Sequence, residues 1–157
     1  MTAEIRVLSE GYLSGDDDRV GSTVSLVTDG DVVAVIDPGL VASRAAILGP
    51  LRVMGFEPED VTDVVISHHH PDHTLNAALF PNARVHDHWA WYRDDLWVDR
   101  PAEGFELSSS IRLIETSCGE CPGVLHENRA RVLSLRGLRT IVPGHGAPFE
   151  PGPDTPR

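Results

Sequence analysis

The run His68-His69-His70-Pro71-Asp72-His73 concentrates imidazoles and a carboxylate in one short stretch of chain. In an extended segment, residues two apart project to the same side, so His68 and His70 can pinch one metal ion while His69 points away. Pro71 bends the chain, and Asp72 with His73 can then face a second position nearby. Neutral imidazole and carboxylate suit Zn2+, and a catalytic zinc takes three protein ligands and leaves one position for water. Of the 8 histidines, five fall between His68 and His86, with His88, His126 and His145 further on. Clustering away from the termini points to metal chemistry rather than to a purification tag.

Such a cluster needs elements to hold it. Alternation and β-branching mark strands at Glu4 to Leu8, Thr23 to Thr28 and Val32 to Asp37, with Thr28-Asp29-Gly30-Asp31 as a hairpin turn. From Ser43 to Met54 the spacing of Ala46, Ile47, Leu51 and Met54 predicts a helix stopped by Gly55. After the turn Glu57-Pro58-Glu59-Asp60, the apolar run Asp63 to Ser67 reads as a strand buried on both faces, and it delivers His68 at its carboxyl end. Beyond it the sequence predicts a helix over Asp72 to Phe80, a strand over Ala83 to His86 and a turn or helix over His88 to Tyr92. A strand over Ile111 to Thr116, a helix over Val124 to Gly137 and a strand over Thr140 to Val142 follow. Strands interleaved with helices indicate a layered α/β or α+β fold whose strand ends gather the polar motifs.

Composition bounds the rest. The 157 residues suit one domain, placed at residues 1–149 with a Pro-rich tail at 150–157. No apolar run reaches the ~18 residues of a membrane span, so no membrane partner is expected. The start, Met1 to Glu10, lacks a secretory pattern, which makes the cytoplasm the default location. A net charge of −11 counts against long polynucleotides as partners. Cys118 and Cys121 form a lone C-x-x-C, weak evidence for a metal or redox pair.

An H-x-H-x-D-H motif after a buried strand resembles the metallo-β-lactamase superfamily, and all four liganding positions match. The resemblance extends to Val35-Ile36-Asp37-Pro38-Gly39, where the family's Asp supports the metal ligands from behind, and to Val142-Pro143-Gly144-His145-Gly146, where a histidine completes the second metal position. Leu8-Ser9-Glu10-Gly11-Tyr12, Asn128-Arg129-Ala130-Arg131 and the Val-Pro-Gly-His-Gly ending look most similar to metallo-β-lactamase domain-containing proteins related to a histone pre-mRNA nuclease. The resemblance implies an α+β, αββα sandwich. It implies His68 and His70 on a first metal, Asp72, His73 and His145 on a second, and Asp72 as the catalytic residue that orients the attacking water. One or two zinc ions are expected, with iron or manganese as alternatives, acting on a small ester, thioester, lactam or phosphodiester.

Two departures qualify this. Glu120, within Ser117 to Gly123, stands where the family has a third histidine of the first position; carboxylate with two histidines is itself a hydrolytic zinc set. The Gly-Asp whose carboxylate bridges both metals has no counterpart, since after Asp99 the only aspartate is Asp154. The C-terminal half is thus shortened, and the edge this exposes favours a homodimer. A degenerate, noncatalytic metal-binding domain and an iron-dependent redox protein are the rival readings. For Asp37 a plain turn before Pro38-Gly39 is the bland alternative, and for His86-Asp87-His88 a surface or supporting role.

Overall fold

Short apolar runs that alternate with amphipathic stretches fold as strands crossed over by helices, and parallel neighbours result. The computed structural model describes residues 3–99 and 122–155. In chain order they form β1 (Glu4–Ser9), β2 (Tyr12–Leu13), β3 (Val20–Gly21), β4 (Val24–Asp29), β5 (Val32–Ile36), α1 (Ala45–Val53), β6 (Asp63–Val65), α2 (Pro71–Thr74), β7 (Arg84–His86), β8 (Ala90–Arg93), β9 (Leu96–Asp99) and α3 (Pro122–Leu133).

Among the described residues, seven strands make one mixed sheet in the order β1-β4-β5-β6-β7-β8-β9, and β2 pairs with β3 in a separate ribbon. Strands β5, β6 and β7 are parallel, with Ile36, Val65 and His86 aligned across them. Consequently Asp37, the histidine run and Asp87 all leave the sheet at the same edge. The other pairings are antiparallel. The β4–β5 hairpin turns as expected, with Asp29 opposite Val32 and Gly30 at φ +63°, a conformation glycine adopts without strain.

The core lies between this sheet and α1. Leu26, Val35 and Val64 cluster with Ile47 and Leu51 of the helix and with Phe80. Ile47 and Leu51 are both fully buried, and each contributes about 1.5–3 kcal/mol through lost apolar surface. The predicted helical stripe is therefore the packed face. Together these elements make the α+β arrangement read from the sequence, with the second layer of strands reduced, among the described residues, to the β2–β3 ribbon.

Three elements differ from the sequence expectations. The helix foreseen over Asp72 to Phe80 stops at Thr74, and a single 3-10 turn follows at Ala77–Leu79. Asn76 interrupts it, because its N–H donates to the Pro38 carbonyl at 2.8 Å and its side-chain amide to the Gly39 carbonyl at 2.7 Å. The turn or helix expected over His88 to Tyr92 is instead a turn at Asp87 that leads into β8, which hairpins with β9. Asp94, at φ +53°, opens that hairpin's two-residue loop between Arg93 and Leu96. The strand expected over Thr140 to Val142 shrinks to one bridge between Ile141 and Phe149. Pro143 cannot donate to a ladder, and the next residues bond to other loops, Gly144 accepting from Thr23 N–H at 2.7 Å and Gly146 donating to Gly11 at 2.9 Å. The strand expected over Ile111 to Thr116 lies outside the described residues.

Candidate metal centre

Two turns hold the histidine run against the sheet edge, and both use glycine for close contact. Gly39 sits so close to the turn at Asp72 that an added Cβ would lie 1.6 Å from the Asp72 carbonyl oxygen. Leu40 N–H then donates to that carbonyl at 3.0 Å. Gly144 similarly faces His73, with a built Cβ 3.2 Å from its Cε1. Thus Asp37-Pro38-Gly39 and Pro143-Gly144-His145-Gly146, remote in sequence, clasp α2 from two sides.

The ligand-type atoms converge. His73 Nε2 lies 3.4 Å from His145 Nε2, and Asp72 Oδ2 lies 3.4 Å from each of them. A tetrahedral shell with bonds of about 2.0–2.1 Å places its ligand atoms about 3.3–3.4 Å apart, so these three atoms match one face of a zinc coordination tetrahedron. Beside them, His68 Nε2 lies 3.1 Å from His70 Nδ1, and the His68 and His73 rings are 4.0 Å apart. Five side chains therefore share one site, as a pair next to a trio.

Hydrogen bonds fix which nitrogens face it. His145 Nδ1 donates to the Gly21 carbonyl at 2.9 Å and His73 Nδ1 to Asp37 Oδ2 at 2.9 Å. Ser67 Oγ donates to Asp37 Oδ2 at 2.7 Å, which leaves it to accept from His68 Nδ1 at 3.0 Å. In each neutral ring this leaves Nε2 as the lone-pair nitrogen; those of His73 and His145 face the Asp72 carboxylate, and that of His68 faces His70. Lone pairs and an anion held this close repel one another unless a cation sits among them. Burial, with the neighbouring His73 and His70 charges, pushes the His68 pKa down, which favours the neutral, metal-binding imidazole.

Asp37 is far more than a turn residue. It is buried at φ +49°, and its carboxylate accepts from Ser67 N–H, Ser67 Oγ and His73 Nδ1. Carboxylates in this position hold ligand imidazoles in one tautomer and orientation.

A model of the metallo-beta-lactamase superfamily matches residues 17–149. The chain belongs to that superfamily. Metallo-beta-lactamase domain-containing protein 1 of Xenopus laevis is 27% identical over 190 residues, covering 92% of this chain and 80% of the frog protein. The protein of that name from Mus musculus is 30% identical over 158 residues, covering 73% of this chain and 60% of its own. A Thermotoga maritima crystal structure assigned to the metallo-beta-lactamases aligns with TM-score 0.48 at 32% identity over 53% of this chain and 42% of that one. The metallo-β-lactamase superfamily includes metal-dependent hydrolases.

Of the residues singled out in this superfamily member, His68, His70, Asp72, His73 and His145 come together, with Asp37 behind them. Glu120, Cys118 and Cys121 lie outside the described residues. The sequence reading missed Ser67, whose hydroxyl relays Asp37 to His68; its place directly before the histidine run was the available signal. Of the two roles left open for His86-Asp87-His88, surface or supporting, the burial of His86 and Asp87 removes the first for those two residues.

Proposed function

We propose that this chain is a metal-dependent hydrolase of small ester, thioester, lactam or phosphodiester substrates, with zinc as its metal. The observation that carries the reading is the 3.4 Å triangle of Asp72 Oδ2, His73 Nε2 and His145 Nε2, lone pairs inward. Those three residues would hold one ion, and His68 and His70, with Glu120 as the candidate third ligand, another. A bound divalent ion supplies an activated water and polarises the electrophile. Asp37 holds His73 directly, and His68 through Ser67, so both donor atoms stay aimed. Asp72, largely shielded at 15% side-chain exposure, has a second carboxylate oxygen with which to accept a proton from water.

One sequence feature favours a second reading. The absence of any aspartate between Asp99 and Asp154 removes the family's bridging carboxylate, which suits a domain that binds metal without turnover. Zinc-loaded protein assayed on ester, lactam and phosphodiester panels separates the two. Hydrolysis that disappears with chelator and returns with zinc is expected; bound zinc with no turnover on any panel member would favour the noncatalytic domain. The homodimer and the cytoplasmic location are part of the same proposal, the first checkable by sedimentation.

A further inference from the structure

The histidine run is clamped from both neighbouring strands. At the end of β5, Asp37 holds Ser67 and His73. At the end of β7, Asp87 faces the opposite flank, and its Oδ2 accepts from His69 Nε2 at 3.0 Å and from Tyr92 Oη at 2.8 Å. Its Oδ1 accepts from Trp89 N–H at 2.8 Å and Ala90 N–H at 2.9 Å. The Asp87 side chain is 2% exposed while His69 is 57% exposed. A buried, backbone-anchored carboxylate thus grips a side chain that solvent would otherwise leave free. The consequence is specific, because His69 is held away on Asp87 while its two neighbours, His68 and His70, bring their ring nitrogens within 3.1 Å of each other. The Trp89 ring also lies against His69, at 5.3 Å between ring centres, which limits its rotation further.

We infer that Asp87, acting through His69, is a positioning residue for the His68–His70 half of the metal centre, the counterpart of Asp37 for the other half. This rests on the reading that both halves bind metal. Supporting residues of this kind change metal affinity by about 10–100-fold when altered. Zinc competition against a chromophoric chelator, on the intact chain, resolves the equivalents bound. His69→Ala is expected to weaken the weaker equivalent by about tenfold or more and to leave the tighter one unchanged. His69→Gln, which retains a donor for Asp87, is expected to recover most of that loss. Tyr92→Phe removes a different donor to Oδ2, and its zinc affinity should match the parent's. Unchanged affinity in His69→Ala, or an equal loss in Tyr92→Phe, would overturn the inference while leaving the hydrolase reading intact. A parent that binds one equivalent or none would instead overturn the two-site reading, and this inference with it.

Discussion

Asp37 governs two imidazoles with one carboxylate, and a single-atom change isolates that role. Asparagine tolerates the left-handed backbone at φ +49°, so Asp37→Asn alters the charge and hydrogen bonding with little backbone strain. The variant should fold and bind zinc about 10–100-fold more weakly, read by chelator competition. Much of this was legible in the sequence. His68, His70, Asp72, His73 and His145 could be named because their types and spacing suit a metal, and Asp37 because its motif resembled the family's. Ser67 could not, and for Asp87 a supporting role could not be told from a surface one, since their partners are set by which strands lie side by side, and no local spacing encodes that.

Strand alignment also creates a buried network at the opposite end of β6. Asp63 is fully buried, and Arg84 and His86 on β7 bond to it at 2.9 and 2.7 Å, with Thr62 at 2.6 Å. Burial raises its pKa, but the bonds from His86, Thr62 and Arg84 and the Arg84 charge outweigh it and hold the pKa below 3.8. A depressed folded-state pKa contributes stability that is complete above the unfolded value, and is lost as pH falls through the folded one. Asp63→Asn should cost about 1–3 kcal/mol near neutrality. Its melting temperature should also fall less steeply than the parent's below about pH 4. Thermal melts across that range test both. The elements themselves were only partly legible. Long periodic segments such as α1 could be read directly, whereas Asn76 ended α2 through a contact with Pro38 and Gly39, and the β8–β9 hairpin hid behind an Asp94-Asp95 loop that carries no glycine.

At the scale of the whole molecule, the aligned stretch with the frog protein, 190 residues, exceeds the 157 residues of this chain. The relative therefore carries residues that have no counterpart here, in keeping with a shortened C-terminal half, and the chain spans 60% of the mouse protein's length. The net charge of −11 makes a further prediction about substrates. If a phosphodiester and a neutral ester are both hydrolysed, kcat/KM for the anionic substrate should rise with added salt as repulsion is screened, and that for the ester should stay flat.

The convergence of Asp72, His73 and His145 is tested most directly by metal content. Untagged parent, Asp72→Ala and His145→Ala proteins, each loaded with zinc, desalted and quantified by elemental analysis, give the answer. The parent should retain at least about one zinc per chain and each variant markedly less, since three protein ligands make up such a site. Equal zinc in all three proteins would contradict the assignment.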